Sequence, residues 1–351
     1  MEKSVFCKDV NEKGSVMTKV SIIIPYYQRE EGILRRALAS VLAQQVASDV
    51  RVEVIVVDDG SPIPPQGEIE GLVFVPPFHL NLITQPNGGV AAARNTGLRA
   101  VSEDTTYISF LDSDDIWDPQ HLPTALAALE QGYDFYFCDN KRVGHHESNF
   151  KSAADYFAFI AENGRLIREG LYEIEKKAFV DYFLRKFVTQ ISTVVCCRKN
   201  TLDVTFSPLL RMAGEDRLFL LQVIGHSQRL CCNTQGLVVC GEGVNICNGR
   251  YDWSDSGHLI RYAAEIRALY EFKKNLKLSP DNQNYLLAET KSIQRDFAFL
   301  TVRYFLKYRE KWPQELRTMV RQDPTFWRWY PMCVLYVMVL YPLRLYKPQS
   351  E

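Results

Sequence analysis

The sequence feature that most constrains the fold is an alternation of short apolar runs with helical patterns. The first run, KVSIIIPYY at residues 19–27, is rich in β-branched residues and is ended by Pro25. Such a continuous run predicts a strand that is buried on both faces of a parallel sheet. At residues 30–45 the apolar residues recur at three- and four-residue steps, which predicts a helix.

Four more runs continue the alternation. They are VEVIVVDD at residues 52–59, LNLIT at 80–84, YISFL at 107–111 and DFYFCD at 134–139. Helices are predicted at 90–101 and 120–130, whereas the Pro-rich stretch 61–77 predicts an irregular loop. Repeated units of this kind imply an α/β fold, in which helices cover both faces of a doubly wound, mainly parallel sheet.

Unusual polar residues follow these predicted strands. The strand ends carry Pro25-Tyr26-Tyr27, Asp58-Asp59, Gln85-Pro86-Asn87 and Asp112-Ser113-Asp114-Asp115. In open α/β sheets, ligands bind beyond the carboxyl ends of the strands. One edge of the sheet is therefore the predicted binding site.

The acidic stretch FLDSDD needs a physical explanation, because three nearby carboxylates raise one another's pKa unless a cation lies among them. Oxygen ligands favour Mg²⁺ or Mn²⁺, and such ions are usually completed by substrate phosphates. The chain contains neither G-x-G-x-x-G nor G-x-x-x-x-G-K-[ST], so a metal would have to balance the phosphate charge. The alternative is a solvated loop in which Asp115 or Asp118 caps the next helix.

The composition of the chain disfavours several classes of function. The 41 Lys and Arg residues nearly balance 42 Asp and Glu residues, so no overall basic field favours nucleic acid. The first 15 residues lack an apolar signal-peptide core, so we expect a cytoplasmic protein. Nine cysteines, an odd number with no C-x-x-C, predict reduced core thiols and neither a disulfide framework nor a zinc site.

Three regions are predicted along the chain: an N-terminal extension at 1–18, the α/β domain at 19–241 and a C-terminal helical region at 242–351. Within the domain, residues 144–189 have a helical and aromatic pattern. The segment 326–346 is apolar and aromatic but too short and too interrupted by Pro331 and Pro342 to span a membrane. It suits a segment that lies on the inner face of the cytoplasmic membrane, although a buried packing helix is the alternative.

Five motifs carry a family resemblance. VSIIIPYYQ, VIVVDDGS, QPNGGVAAARNTGL, FLDSDD and GEDRLF, in this order, resemble the family 2 glycosyltransferases with the GT-A fold, over residues 19–221. IPYYQREEGILRRALASVLAQQ and GEGVNI further resemble the glucosyltransferases of succinoglycan-type bacterial exopolysaccharides. The resemblance implies a Rossmann-like, mixed sheet, a UDP-sugar donor and a lipid-linked oligosaccharide or polysaccharide acceptor. By the same resemblance, the expected donor is UDP-glucose.

The resemblance also implies residue roles. Pro25, Tyr26 and Asp59 would hold the nucleoside, and Arg94 would orient the donor or the acidic loop. Asp112 and Asp114 would form the D-x-D pair that holds Mg²⁺ or Mn²⁺, with Asp114 as the direct ligand. Asp115 would bind sugar hydroxyls or stabilise the loop.

The motif GED supplies the implied catalytic acids, Glu215 and Asp216. Asp216 would remove the proton of an acceptor hydroxyl, and a single displacement would invert the configuration at the sugar. The alternative is an acid pair that stabilises a helix N-terminus. His226 or His258 would complete the metal site, although a lone histidine is more often structural.

The sequence differs from the processive synthases of this family in two ways, and two other functions are possible alternatives. TFWRW has Thr325 where the Q-x-x-R-W motif of processive synthases has Gln, and several membrane spans are lacking, so we expect addition of one sugar at a time. A nucleotidyltransferase that forms sugar nucleotides would need a Gly-rich loop and a Lys after the first strand. A silent nucleotide-sugar binding module would not need both acid motifs.

Overall fold

The computed structural model describes residues 17–153, 155–241, 256–308, 312, 314–323 and 325–341. These residues form two compact units. The first contains the described residues up to Pro208 together with 219–241, and the second contains Leu209–Leu218 together with the described residues from 256 onwards. Three segments singled out from the sequence lie wholly or partly outside the described residues: 1–18, 241–246 and 326–346.

Ten strands form one sheet in the first unit. They are β1 (Thr18–Tyr26), β2 (Val50–Asp58), β3 (Phe78–Thr84), β4 (Tyr107–Phe110), β5 (Ile116–Trp117), β6 (Phe135–Arg142), β7 (Gly164–Arg168), β8 (Leu171–Ile174), β9 (Val195–Cys197) and β10 (Leu230–Cys240). The order across the sheet is β3-β2-β1-β4-β9-β6-β10-β8-β7, and β5 pairs with β10.

The sheet is mixed. β1 is parallel to β2 and β4, β2 is parallel to β3, and β6 is parallel to β10. β9 runs antiparallel to both β4 and β6, and the edge pairs β10–β8 and β7–β8 are also antiparallel. The predicted α/β fold with a mixed sheet is therefore confirmed.

Twelve helices are described. They are α1 (Ile33–Leu42), α2 (Pro65–Ile69), α3 (Val90–Ala100), α4 (His121–Leu129), α5 (Asn149–Ser152), α6 (Tyr156–Asn163), α7 (Lys176–Arg185), α8 (Glu215–His226), α9 (Ser256–Asn275), α10 (Pro280–Tyr308), α11 (Gln314–Gln322) and α12 (Phe326–Leu340). The Pro-rich stretch predicted to be irregular contains the short helix α2, which begins at Pro65, a residue suited to a helix start.

The core of the first unit forms around β1, between β2 and β4. Val20, Ile22 and Ile24 are fully buried, and they share a cluster with Leu34 and Leu38 of α1. The three- and four-residue spacing of α1 places its apolar side chains on one face, and this face packs on the sheet. Ile23, on the opposite face of β1, is also fully buried, so the strand is covered on both sides, which explains its uninterrupted apolar sequence.

The second unit is helical, as predicted for the C-terminal region. Phe297 of α10 is fully buried and contacts the rings of Trp312, Phe326 and Trp329. These rings join α10 and α12 in one aromatic cluster. Across the described part of the chain, no helix is both long enough and apolar enough to cross a membrane.

Seven cysteines lie among the described residues, and all seven are free: Cys138, Cys196, Cys197, Cys231, Cys232, Cys240 and Cys333. The first six are buried. Burial raises the pKa of their thiols, so they remain protonated and behave as small apolar side chains of the core.

Candidate active site

The carboxyl ends of the parallel strands meet at one edge of the sheet, where the sequence predicts the binding site. Tyr26 at the end of β1 pairs with Asp58 at the end of β2, and Asp58 pairs with Thr84 at the end of β3. β4 ends at Phe110, just before the acidic loop, which we define as residues 112–115. The segments that follow these strands therefore share one edge.

Asp59 lies directly after β2 and is almost completely buried. Its Oδ1 accepts hydrogen bonds from Gln85 Nε2 at 2.6 Å and from the backbone N–H of Gly88 at 2.8 Å. Its Oδ2 accepts from the N–H of Gly89 at 2.7 Å. Gly89 has a φ of 87°, which glycine adopts without strain. Asp59 therefore fixes the Asn87-Gly88-Gly89 turn, and its contact with a donor base stays a prediction.

Pro25 and Tyr26 lie at the end of β1. Pro25 is buried and pairs with Val57 of β2. Tyr26 is fully buried, and its hydroxyl donates to the carbonyl of Ile63 at 2.9 Å. Burial raises the pKa of Tyr26, so the hydroxyl keeps its proton. The Tyr26 side chain therefore anchors the loop after β2, and the nucleoside contacts of both residues stay predictions.

The acidic loop is held by its backbone. The N–H of Asp115 donates to the carbonyl of Asp112 at 2.9 Å, which closes a tight turn. The N–H of Asp112 donates to Ser192 Oγ at 3.0 Å. The Asp115 carboxylate accepts from the N–H of Gly241 at 2.9 Å, and its side chain is buried. The Asp115 side chain therefore ties the acidic loop to Gly241, and both of its predicted roles stay predictions.

Arg94 provides the positive charge of the site. Its side chain is only 3% exposed, and its Nη2 donates to Asp112 Oδ1 at 2.6 Å. Its guanidinium also lies over the ring of Phe206, with 5.2 Å between Cζ and the ring centroid. Loss of this ion pair would be costly, because the Asp112 carboxylate, itself one-third exposed, offsets the charge of a buried guanidinium. Arg94 is therefore placed to hold Asp112, and its role in orienting the donor or the acidic loop stays a prediction.

The pKa values of the other two carboxyl groups of the loop are raised. Burial, followed by the charge of Asp112, raises the pKa of Asp114 to about 6. Burial, followed by the charges of Asp112 and Asp114, raises the pKa of Asp115 to about 8. A nearby cation would reverse these shifts, because it favours the charged form of a carboxyl group. The loop therefore has the electrostatics of a cation site.

The chemistry of the loop fits a divalent metal that is shared with a substrate. Within the described residues, no group of three His, Cys, Asp or Glu side chains is arranged to hold a metal by itself. Mg²⁺ is commonly bound by one or two carboxylates together with substrate phosphates. Asp112, whose side chain is one-third exposed, and Asp114 would supply those two carboxylates. The predicted pair thus suits a metal completed by a diphosphate.

Gln28, which the sequence analysis did not single out, links three loops of this edge. Its backbone N–H donates to Ser61 Oγ at 2.8 Å, and its Nε2 donates to Ser113 Oγ at 3.0 Å. Its Oε1 is buried and has no hydrogen-bond partner among the described residues. A buried acceptor without a partner is costly. A bound molecule that donated a hydrogen bond to this oxygen would remove that cost. A polar residue after an apolar strand was the only sequence signal for it.

Glu215 and Asp216 occupy the first turn of α8, as predicted. Asp216 Oδ1 accepts from the backbone N–H of Arg217 at 2.7 Å. Both acids are half-buried and belong with Leu209–Leu218, a part of the second unit. An acid in this position also stabilises the helix N-terminus, so both interpretations of the motif fit the local geometry.

The two histidines proposed as further metal ligands lie on different helices. His226 is exposed at the last residue of α8, and His258 is in the first turn of α9. Among the described residues, neither joins a set of side chains that could hold a metal.

Comparison with known proteins identifies relatives. The family model described as glycosyl transferase family 2 matches residues 21–202. The succinoglycan biosynthesis protein ExoW of Rhizobium meliloti is 37% identical over 233 residues, which are 66% of this chain and 71% of that protein. The minor teichoic acid biosynthesis protein GgaA of Bacillus subtilis is 39% identical over 123 residues, which are 35% of this chain and 26% of that protein.

Solved structures share the fold at low identity. S. aureus TarS 1-349 in complex with UDP-GlcNAc is 17% identical, has a TM-score of 0.54, and matches over 94% of this chain and 93% of that chain. The mannosyltransferase PcManGT of Pyrobaculum calidifontis, in complex with GDP-Man and Mn²⁺, is 16% identical with a TM-score of 0.52, over 97% of this chain and 91% of that chain. At this identity the likeness concerns the fold alone.

Proposed function

The chain belongs to glycosyltransferase family 2, and from that premise we propose that it transfers one hexose from a UDP-sugar to a hydroxyl of a lipid-linked or growing oligosaccharide. UDP-glucose is the expected donor, and an exopolysaccharide related to succinoglycan is the expected product. The similarity to ExoW, which covers two-thirds of this chain, supports the pathway. Thr325, in place of the Gln of processive synthases, supports addition of one sugar at a time.

The observation that carries the proposal is the acidic loop beside Arg94, in which three carboxyl groups lie close together and two of them have raised pKa values. Asp112 and Asp114 would hold Mg²⁺ or Mn²⁺, which when bound would offset the negative charge that develops on the departing diphosphate. Arg94 keeps Asp112 in place through the 2.6 Å ion pair. Asp115 holds the loop in its turn through Gly241.

The proton of the acceptor is assigned to Asp216. As the acceptor oxygen forms its bond to the anomeric carbon, the Asp216 carboxylate takes the hydroxyl proton, and the bond from that carbon to the diphosphate oxygen breaks. The attack occurs opposite the leaving group, so the configuration inverts. The nucleoside diphosphate leaves with the electron pair of the broken bond, and no covalent sugar–enzyme intermediate is needed.

The direct test is hydrolysis of a panel of nucleotide sugars with Mn²⁺ or Mg²⁺. UDP-glucose should be consumed fastest, and Asp114→Asn should lower the rate by about 100-fold, because one metal ligand loses its charge. Asp104→Asn is the control, since Asp104 is exposed and paired with Lys19, where a change costs little. Equal rates in both variants would refute the metal assignment, and release of pyrophosphate would indicate a nucleotidyltransferase.

We also propose that α12 contacts the membrane that carries a lipid-linked acceptor. Met332, Leu335, Met338 and Val339 are each more than half exposed on this helix. No acidic residue occurs between residues 326 and 341. An apolar helix face without acidic residues suits insertion into the surface of an anionic leaflet. The protein would then be cytoplasmic and peripherally attached to the inner face of the membrane.

Vesicle flotation tests this contact. The double variant Leu335→Ser and Met338→Ser should bind vesicles of anionic phospholipid roughly 100-fold more weakly, because each side chain contributes about 1.5 kcal/mol when buried. Leu287→Ser is the control, since Leu287 is 45% exposed on α10 in the same unit. An equal loss in both proteins, or flotation unchanged by the double variant, would contradict the proposed contact.

A further inference from the structure

The second unit contains a cavity of about 320 Å³ that the proposed reaction does not use. Residues of α9, α10, α11 and α12 line it, together with Leu209 and the connection before α12. This volume lies near the lower end of the ~300–1,000 Å³ typical of small-molecule sites. It suits a ligand of one or two rings.

Aromatic side chains form the main apolar part of the cavity: Tyr270, Phe297, Phe326 and Trp329. Trp329 is partly exposed. Its contacts with Phe297 and Phe326 have interplanar angles of 70° and 71°, so neither ring stacks in parallel on the indole. Because Trp329 lines the cavity and is partly exposed, its indole can contact the apolar C–H face of a sugar ring, which packs against aromatic surfaces as other apolar groups do.

A hydrogen-bond network holds the polar part of the cavity in place. Asp323 Oδ1 accepts from the N–H of Thr325 at 2.8 Å and from its hydroxyl at 2.7 Å. The hydroxyl of Tyr270 accepts from Gln294 Nε2 at 2.8 Å. Carboxylate oxygens have several lone pairs, so Asp323 retains capacity to accept from a ligand hydroxyl. Side chains that are already ordered reduce the entropy cost of binding.

The charges of the cavity indicate which ligand class it fits. Arg267 and Lys274 are balanced by Glu271 and Asp323, so the charged lining residues cancel formally. A phosphate would require an excess of positive charge. A hydrocarbon tail would place four charged side chains against an apolar surface and remove part of their solvation, which is costly. A neutral ligand with many hydroxyl groups and apolar faces satisfies both the charged and the aromatic lining, and a pyranose has these properties.

We propose that this cavity binds a glycosyl residue of the acceptor glycan, at a position other than the hydroxyl that receives the new sugar. The inference rests on the proposed function, because it identifies the cavity ligand as part of that acceptor. It assigns to the helical unit a share of acceptor selection, through Trp329, Tyr270 and Asp323.

Saturation-transfer NMR and calorimetric titration of the full chain with methyl β-glucoside, methyl β-galactoside and cellobiose test the proposal. At least one probe should bind, and Trp329→Leu should weaken its binding by about tenfold or more. Trp327→Leu is the matched control, because Trp327 lies on the same helix, is 69% exposed and does not line the cavity. Ala263→Phe, which fills the cavity from α9, should also abolish binding.

The outcomes separate this inference from the proposed function. Failure of all three probes to bind the wild type, or an equal loss in Trp329→Leu and Trp327→Leu, would overturn the cavity assignment. Nucleotide-sugar hydrolysis by the same wild-type preparation reports separately on the enzyme. Hydrolysis without glycoside binding rejects the cavity ligand alone, whereas absence of hydrolysis with every donor rejects the proposed function.

Discussion

Replacing Asp216 by Asn should lower the rate of sugar transfer by at least about 100-fold, because the amide cannot accept the proton of the acceptor hydroxyl. The fold should survive, since the Asn side-chain oxygen can still accept from the backbone N–H of Arg217, as Asp216 does at 2.7 Å. Donor affinity should stay at the wild-type value. Initial rates of transfer, measured with a UDP-sugar and a lipid-linked acceptor, give the effect on turnover, and titration with UDP gives the effect on binding.

Glu215→Gln is the matched control for this prediction. Glu215 precedes Asp216 in the same helical turn, so both variants remove one negative charge from the N-terminus of α8. If the two acids only stabilise the helix, both variants should lose about 0.3–1 kcal/mol of stability and keep their activity. If Glu215→Gln is the inactive variant, the base is Glu215 and the present assignment is wrong.

Gly241→Ala should lower donor hydrolysis by roughly 100-fold, although residue 241 has no reactive side chain. A Cβ at this position would lie 2.9 Å from the carbonyl carbon of Asp114 and closer still to its oxygen. The new methyl group must therefore displace the backbone of the acidic loop. Displacements of about 1 Å in a catalytic group can reduce rates by this amount. Alanine keeps the N–H of residue 241, but the displacement would weaken its hydrogen bond to the Asp115 carboxylate.

Gly225→Ala is the control for the added methyl group. Gly225 lies in α8, and a Cβ there would meet nothing within 4 Å. This variant should keep wild-type hydrolysis and gain up to about 1 kcal/mol of stability from its helix propensity. Hydrolysis rates and thermal unfolding of both variants provide the measurements. Wild-type hydrolysis by a folded Gly241→Ala protein would show that the acidic loop does not depend on this contact.

The sequence was sufficient for the features that depend on local patterns. Apolar runs predicted strands β1 to β4 and β6, and periodic spacing predicted α1, because these patterns arise within one element. The alanine-rich composition of residues 90–101 predicted α3, and the alternation of strands and helices predicted α4. The edge that carries Asp59 and the acidic loop also followed, since parallel strands end on the same side of a sheet.

Features that depend on distant contacts were missed. The segment 144–189 has a helical and aromatic pattern, yet it also contains the hairpin β7–β8, which is stabilised by pairing with β10. Ser192 and Gly241 contact the acidic loop across 80 and 126 residues of sequence. Small residues of this kind have no pattern of their own, and only the packed fold reveals their roles.

The antiparallel strand β9 determines when the sheet can become continuous. In the described sheet, its three residues join β4 to β6, with Ile108 and Phe135 both paired to Cys196. Both neighbours precede β9 in the chain, so during synthesis on the ribosome they emerge well before the strand that connects them. The half of the sheet built on β1 and the half built on β6 therefore have no hydrogen-bonded link within the sheet until Val195–Cys197 has been translated. The acidic loop that follows β4 consequently reaches its final structure late in folding.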